Sequence, residues 1–380
     1  MAHRPSDNRF SSLKDSRGFV NVILRKQIRK EDYMDSKRSQ KMMTNVCIMT
    51  IMLITLVMGI YADAGAQTAK KRLTQGTCPA ASGVYPWLVA HGTVINQKIA
   101  DLSVTSTESP GGVVENQKRI NAGEMDFGWG CTCSVWHNIE GTLMWKDQKV
   151  ENLRILAIVV TLPFTWFVRA DSGVTSLYGL EGKPYGVGVP GSVTAHKTIV
   201  LLDSLGIKPK LFQAPLGLTA QAVRDGRIVG FTKSGAPDSL ILDIAATIPI
   251  RVLNLSDENF AKAQAKYPIE FSLRGKIPAG SYPGQDREIL TYSDPYGWTT
   301  TNKLPEEVGY KIVKTWYETR FELGKTYASA NNPITGQLDF PKLTIEVLKN
   351  TPIKLHTGAV KFFKEIGISI PNHLIPQEAK

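Results

Sequence analysis

The sequence predicts an α/β protein in which two lobes enclose a cleft. Short runs of β-forming residues alternate with longer helical runs along most of the chain, a pattern typical of parallel sheets covered by helices. The 380 residues also exceed the size of one compact domain. An apolar fraction of 42% and a charged fraction of 21% are close to globular averages, which excludes a disordered or fibrous chain.

The N-terminal segment has the layout of a secretory signal peptide. Residues 1–41 are polar and basic, residues 42–60 are uncharged and mostly apolar, and small residues follow. Two A-x-A-like motifs, at 62–64 and 64–66, fit a cleavage site, and the second would release a chain that starts at Gln67. Translation could begin at Met34, Met42 or Met43. An uncleaved anchor is the alternative, because nineteen residues just span a hydrocarbon core.

The rest of the chain predicts strands and helices in regular alternation. Strands are expected at 72–76, 101–107, 125–129, 155–160, 166–168, 185–189, 211–213 and 227–232, helices at 84–96, 113–122, 193–205, 218–224, 306–324 and 356–366, and a crossing strand at 289–301. Residues 273–286 contain three Gly and two Pro, which predicts a long surface loop.

Three loops join a strand to a helix and could bind a ligand, at residues 78–83, 108–113 and 189–194. Ligands of open α/β sheets bind at the carboxyl ends of strands, and free N–H groups at a helix start favour an anion. Ordinary helix capping is the alternative for each loop. The candidate ligand-binding residues are Ser82, Tyr85, Thr107, Gly111, Gly112, Val113, Trp129, Gly191, Ser192, Val193, Thr194 and Lys233.

Two of these candidates have a second interpretation. Trp129 either stacks on a ligand or packs in the core, and Lys233 either pairs with an acidic ligand or is solvated at the end of its strand. Arg169 is expected to be a structural or surface charge, and His356 to order the start of a helix.

Several function classes are excluded by missing motifs. The sequence has neither G-x-G-x-x-G nor G-x-x-x-x-G-K-[ST], and it has no G-x-S-x-G elbow. None of its six His has a metal-ligand neighbour at helical spacing. We therefore expect no cofactor, no metal and no enzymatic activity. The net charge of +11 is diffuse, and part of it lies in the leader, so nucleic-acid binding is not expected.

The cysteines predict one disulfide. Cys47 leaves with the leader, so that Cys78, Cys131 and Cys133 remain in an oxidising compartment. Cys131 and Cys133 would share one face of a strand. Because strand ends in one sheet lie close together, Cys78 could reach either of them, and we prefer Cys131.

Eight short motifs follow one another along the chain, at 111–116 (GGVVEN), 120–126 (INAGEMD), 152–154 (NLR), 168–174 (VRADSGV), 180–183 (LEGK), 187–192 (VGVPGS), 355–359 (LHTGA) and 363–367 (FKEIG). In this order they resemble the TAXI-type solute-binding proteins of tripartite ATP-independent periplasmic (TRAP) transporters. The chain departs from the family at 78–86, where members have a glycine-rich run, and at Val113 and Thr357, which replace Ser and Pro.

The resemblance implies a type II periplasmic-binding-protein fold, in which two α/β lobes around a ligand cleft are joined by hinge strands. We expect a leader at 1–66, the first lobe at 67–160, the second lobe at 161–288, and a hinge return with the rest of the first lobe at 289–380. The implied function is capture of a small organic anion, expected to be a carboxylate, and its delivery to a TRAP membrane permease. The mature protein would be a periplasmic monomer that does not span the membrane.

Two other functions remain open on this fold. One is the substrate-binding protein of an ABC importer, and the other is an enzyme of the thiamine-pyrimidine synthase type.

Overall fold

The computed structural model describes residues 13–64, 70–331 and 336–380 of a chain that forms two units, 1–69 and 70–380. In the first unit, helix α1 (Leu13–Ala64) contains the apolar segment 42–60. No helix in the described ranges is both long and apolar enough to cross a bilayer. The second cleavage motif and Gln67 extend outside the described residues, so the signal peptide stays a prediction.

The second unit begins with alternating strands and helices of a first lobe. They are β1 (Lys71–Gly76), α2 (Tyr85–Lys98), β2 (Leu102–Thr107), α3 (Val113–Asn121), β3 (Phe127–Cys131), α4 (Thr132–Glu140) and the first part of β4 (Leu153–Arg169). Strand β1 pairs in parallel with both β2 and β3. Strand β4 is almost entirely apolar and buried along most of its length, as expected for a strand covered on both faces.

A second lobe follows with the same alternation. It contains β5 (Pro184–Gly186), α5 (Val193–Ser204), β6 (Lys210–Phe212), α6 (Leu216–Arg224), β7 (Gly230–Ser234), α7 (Ser239–Ala245), β8 (Ile250–Val252), α8 (Asp257–Lys266) and β9 (Leu273–Ile277). Strand β5 is parallel to β6 and β7, whereas β9 pairs antiparallel with the returning strand β10 (Ile289–Thr301). Buried apolar clusters cover both faces of this sheet.

Strands β4 and β10 run through both lobes. In the first lobe the strand order is β2-β1-β3-β10-β4, and in the second it is β6-β5-β7-β4-β8. The two lobes therefore share one plan. In the first lobe the returning strand β10 lies antiparallel beside β3, and in the second lobe the crossing strand β4 lies antiparallel beside β7. This confirms the predicted α/β fold of the type II periplasmic-binding class, with β4 and β10 as the hinge strands.

The chain then returns to the first lobe, where the described residues form α9 (Glu306–Glu318), α10 (Arg320–Gly324), α11 (Phe340–Leu348) and α12 (Thr357–Glu365). His356 caps α12, because its Nδ1 accepts the N–H of Gly358 at 3.1 Å. The expected role of His356 at a helix start is thereby confirmed. Arg169 is likewise structural, since its guanidinium binds Asp171 and the carbonyl oxygen of Val223.

Some predicted elements are wrong in detail. The runs at 155–160 and 166–168 belong to one long strand, β4. Part of the expected surface loop 273–286 is strand β9, because pairing with β10 overrides the weak β-propensity of its glycine. Cys131 ends β3 and Cys133 lies in α4, so the two do not share a strand face.

Acidification should destabilise the first lobe through His91. Burial lowers the pKa of His91 from 6.5 to about 4, although a hydrogen bond between Nδ1 and the Trp87 carbonyl at 2.8 Å opposes the shift. Because the folded state then binds its proton less tightly than the unfolded state, stability present above pH 6.5 is lost as the pH falls toward 4, by about 2 kcal/mol at pH 5.

Urea unfolding of the second unit across pH 4–7 measures this effect. His91→Phe keeps a ring beside Trp298 and Trp316 but cannot titrate, so its unfolding free energy should fall less steeply. Equal pH slopes in the two proteins would contradict the prediction.

Candidate functional site

A cavity of about 130 Å³ lies between the two lobes. Its walls come from the loops that follow strands of both sheets, together with the hinge strands β4 and β10. The lining residues are Cys78, Pro79, Ser82, Val84, Pro110, Gly111, Gly112, Val113, Trp129, Leu162, Gly188, Val189, Ser192, Val193, Thr194, Ala214, Leu216, Thr219, Phe231, Thr232, Lys233, Ser234 and Tyr296. This is the position that open α/β sheets offer to a ligand.

The start of α3 forms one wall. Its N-cap, Gly112, has a φ of +67° and makes no side-chain capping bond, so N–H groups of the first helical turn lack a partner within the helix. Glu115 accepts the N–H of Gly111 at 2.7 Å and holds the loop against the helix. The uncapped start therefore offers donors and a partial positive charge to the cavity.

The side chain of Asn116 connects three segments of the chain at this wall. Its side-chain amide donates to the carbonyl oxygens of Thr77 at 2.7 Å and Trp129 at 3.0 Å, and its Oδ1 accepts from the hydroxyl of Ser109. Asn116 is fully buried. One side chain thus ties together the loop after β1, the loop after β2 and strand β3.

The start of α5 forms the facing wall in the second lobe. Ser192 caps this helix by accepting the N–H of Ala195 at 3.2 Å, and its hydroxyl donates to the carbonyl oxygen of Val189 at 2.8 Å. The hydroxyl is therefore engaged within its own loop. The backbone of Val193 and Thr194, in the first turn of α5, is what this loop presents to a ligand.

Lys233 is a buried cation in the cavity wall. Its Nζ lies 2.6 Å from Oδ2 of Asp238 and donates to the Ser234 carbonyl oxygen at 3.1 Å. Its side chain is 8% exposed and that of Asp238 is fully buried. These bonds use two of the three ammonium donors. The alternative in which Lys233 is solvated is therefore wrong, and a third donor is left for a ligand.

Trp129 belongs to an aromatic cluster and also lines the cavity. Its ring stacks on Tyr296 with centroids 5.5 Å apart and an interplanar angle of 13°, and it meets Trp87 edge-on at 5.8 Å. Trp129 therefore packs in the core, as one interpretation predicted, and also borders the cavity, whereas its stacking on a ligand stays a prediction.

Contacts across the cavity hold the lobes together. Gly83, in the loop after β1, approaches the start of α7 so closely that an added Cβ would lie 2.5 Å from Oγ of Ser239 and 3.1 Å from its backbone nitrogen. Ser329 of the first lobe donates to the carbonyl oxygen of Ala236 in the second at 2.9 Å. The two lobes therefore touch each other beside the cavity, and we call this arrangement the closed form.

The structure brings together nine of the twelve predicted residues: Ser82, Gly111, Gly112, Val113, Trp129, Ser192, Val193, Thr194 and Lys233. The other three do not line the cavity. Tyr85 packs against the core of the first lobe, Thr107 uses its carbonyl oxygen to hold Thr77, and Gly191 is an exposed turn residue with a φ of +77°.

Residues outside the three predicted loops complete the cavity. Leu162 and Tyr296 come from the hinge strands, and Leu216 and Thr219 from α6. The hinge residues Leu162 and Tyr296 could have been expected from the fold, because the two strands that connect the lobes must pass beneath the cleft between them. The position of α6 depends on the pairing of β5 with β6, which local sequence does not specify.

The predicted disulfide between Cys78 and Cys131 is absent, since both are free, buried thiols. Their surroundings differ. Cys78 lies near Lys233 and Ser82, whereas Sγ of Cys131 accepts the N–H of Ser134 at the start of α4. Burial raises the pKa of the Cys78 thiol to about 12, with Lys233 opposing the shift.

Residues 75–367 match the model of the NMT1-like family, which covers most of the chain and the entire cavity wall. The chain belongs to the NMT1-like family.

Solved structures show distant likenesses to this NMT1-like protein. A protein from Bordetella bronchiseptica RB50 is 13% identical, with 78% of this chain and 98% of that chain covered and a TM-score of 0.48. An ancestral arginine-binding protein bound to arginine is 13% identical, with 67% and 97% covered and a TM-score of 0.42. The periplasmic aliphatic sulphonate binding protein SsuA from Escherichia coli is 12% identical, with 68% and 79% covered and a TM-score of 0.38.

Proposed function

We propose that this protein is an extracytoplasmic solute-binding protein that captures a small organic anion between its lobes. The observation that carries the proposal is the cavity itself, which faces two helix starts from opposite lobes, those of α3 and α5. Both helix starts carry partial positive charge, and neither lobe alone encloses the cavity. A ligand that touches both walls would favour the closed form through its differential affinity.

The charge of the walls supports an anion, and we propose a carboxylate. Lys233 adds an ammonium donor whose charge is paired with Asp238, and Asp238 is itself bound at the start of α7, where Oδ1 accepts the N–H groups of Leu240 and Ile241. A planar carboxylate can accept one bond from a helix start and another from the ammonium. The apolar side of the cavity, with Trp129, Phe231 and Tyr296, would hold the rest of the ligand.

Binding without chemistry agrees with the groups at the cavity. Cys78 is a thiol in the wall, but burial raises its pKa to about 12, and a protonated thiol is a poor nucleophile. We therefore prefer a binding protein over the enzyme alternative. Turnover of a bound pyrimidine precursor by the isolated protein would reverse this preference.

The motif resemblance supports delivery to a TRAP-type permease. The glycine-rich start of α3 and the loop before α5, residues 111–116 and 187–192, both carry that resemblance and both line the cavity. We propose a periplasmic location after cleavage of the leader at 1–66, and a monomeric mature form. Uptake by reconstituted vesicles that needs an ion gradient supports the TRAP assignment, whereas a requirement for ATP hydrolysis supports the ABC importer.

Native mass spectrometry of the purified protein, followed by calorimetry with matched compounds, tests the proposed ligand class. We expect a co-purifying organic acid and binding of carboxylates, with the corresponding uncharged amides about 10- to 100-fold weaker, since hydrogen bonds to charged groups are worth roughly 1.5–3 kcal/mol. Equal affinity for acid and amide would overturn the anion assignment.

Lys233→Met should weaken the binding of an organic acid by about 10- to 100-fold, because one charge-assisted hydrogen bond is lost. The double variant Lys233→Met/Asp238→Asn avoids leaving a buried carboxylate unpaired and should show the same loss. Lys276→Met, which removes an exposed lysine of the same lobe, is the matched control and should bind normally. Unchanged affinity in the double variant, measured by calorimetry, would contradict the role of Lys233.

A further inference from the structure

Away from the cavity wall, three potential metal ligands from both lobes converge on one point. Nε2 of His137 lies 3.0 Å from Oε1 of Glu270, and Nε2 of His196 lies 2.7 Å from the same oxygen. The three ligand atoms all lie within 4.8 Å of one another. His137 belongs to α4 of the first lobe, His196 to α5 of the second, and Glu270 to the segment between α8 and β9.

The arrangement needs either a hydrogen-bond donor on each ring nitrogen or a cation between the rings and the carboxylate. Both ring nitrogens face one acceptor oxygen, so each must carry a proton or share a cation with it. Two imidazole nitrogens and a carboxylate oxygen form the donor set of many zinc sites, in which water completes the coordination. A single Zn²⁺ can replace the two bridging protons.

The neighbouring groups hold the ligands in place. The Nδ1 atom of His137 lies 2.7 Å from the hydroxyl of Thr142, and Lys197 donates to the carbonyl oxygen of Glu270 at 2.8 Å. An outer partner of this kind orients a metal-bound imidazole. The side chains of His137 and Glu270 are 6% and 5% exposed, whereas His196 is 15% exposed and leaves a route for the ion and for water.

We propose that His137, His196 and Glu270 form a Zn²⁺ site that links the two lobes in the closed form. Because opening the cleft would separate His137 from the other two ligands, the ion should favour closure. This coupling rests on the proposed solute-binding function, whereas binding of the ion does not. By linkage, a solute that closes the lobes should raise the affinity for Zn²⁺ by the same factor as Zn²⁺ raises the affinity for the solute.

Calorimetry with Zn²⁺ alone tests the site on the untagged, chelator-treated full chain. We expect one ion per chain at micromolar concentration, and Co²⁺ in its place should give the visible absorption of a four-coordinate ion. His137→Gln and His196→Gln should each weaken binding at least about 100-fold, more than the 10- to 100-fold loss expected for Thr142→Val, which removes an outer partner.

His373→Gln is the matched control, since it removes an exposed histidine outside the cluster and should leave binding unchanged. Circular dichroism and thermal unfolding show which variants fold. Absence of binding at millimolar Zn²⁺, or equal binding by wild type and a folded His137→Gln or His196→Gln variant, would overturn the proposal and leave a hydrogen-bonded His–Glu–His contact in its place.

A second measurement separates this proposal from the solute function. Calorimetry determines the affinity for the co-purifying organic acid identified by native mass spectrometry, with and without Zn²⁺, in wild type and in His137→Gln. We expect an increase of at least about 5-fold in wild type alone, the lower end of ordinary coupling between sites. Zn²⁺ binding without any solute binding would contradict the proposed function but keep the site, whereas binding of both without coupling would overturn the link to closure.

Discussion

Gly112→Asp should lower the affinity for an organic anion by at least about 100-fold. Gly112 is the N-cap of α3, it lines the cavity, and a Cβ built on it meets no atom within 4 Å. The new carboxylate would therefore lie in open space at the helix start. There it would interact with the partial positive charge of the helix in place of the ligand and repel an anionic ligand. Like charges placed together cost about several kcal/mol at a binding interface.

Gly112→Asn is the matched control for this change. With a φ of +67° and a ψ of −137°, the position strains any residue with a Cβ, and Asn carries that strain with nearly the same shape as Asp but no charge. We expect Asn to lose affinity only about tenfold, and both variants to unfold at similar temperatures. Equal affinity of the two variants, measured by calorimetry, would mean that α3 does not bind the charged group.

Much of the candidate site could be predicted from local sequence. The loops at 108–113 and 189–194 follow a strand and precede a helix, and the rule that ligands bind at strand carboxyl ends depends only on that order. Gly112 and Val193 could therefore be predicted as site residues without knowledge of the strand pairing. The strand order of the lobes could be predicted only through the motif resemblance, because parallel pairing joins residues that are distant in sequence.

The remaining parts depend on contacts that no local pattern encodes. In the sequence, Lys233 is a lone lysine at a strand end, where a solvated side chain is one interpretation. In the structure it is buried against Asp238, five residues later. Strand β9 contains a glycine and is followed by a proline, and both residue types disfavour strands. It forms a strand because it pairs with β10. His137 and Glu270 are 133 residues apart and meet through the contact between the lobes. In each case, tertiary packing decides the outcome.

Gly83→Val should nearly abolish solute binding while leaving each lobe folded. Gly83 lies in the first lobe, and the atoms nearest to an added Cβ belong to the second: Oγ of Ser239 at 2.5 Å, Oδ2 of Asp238 at 3.0 Å and the backbone nitrogen of Ser239 at 3.1 Å. A side chain cannot occupy this space unless the lobes move apart. The substitution therefore raises the free energy of the closed form, because its three nearest contacts are all with the other lobe.

The expected loss follows from the equilibrium between open and closed forms. A ligand that bridges both walls binds tightly only to the closed form, so its apparent affinity falls in proportion to the closed population. A clash that costs about 4 kcal/mol would lower that affinity roughly 1,000-fold. Small-angle scattering should show an open Gly83→Val protein with solute present, under conditions in which wild type becomes more compact.

The contact with Ser239 provides an internal control for this mechanism. Gly83→Ala should lose less affinity than Gly83→Val, because the smaller side chain meets chiefly the Ser239 hydroxyl. Adding Ser239→Gly to Gly83→Ala removes that oxygen and should recover most of the loss, whereas Ser239→Gly alone should bind nearly as wild type does. Recovery would show that the lobes must meet at Gly83 for the solute to be held, since neither substitution adds or removes a group that lines the cavity. Normal affinity in Gly83→Val would instead show that the solute binds without the closure seen in this structure.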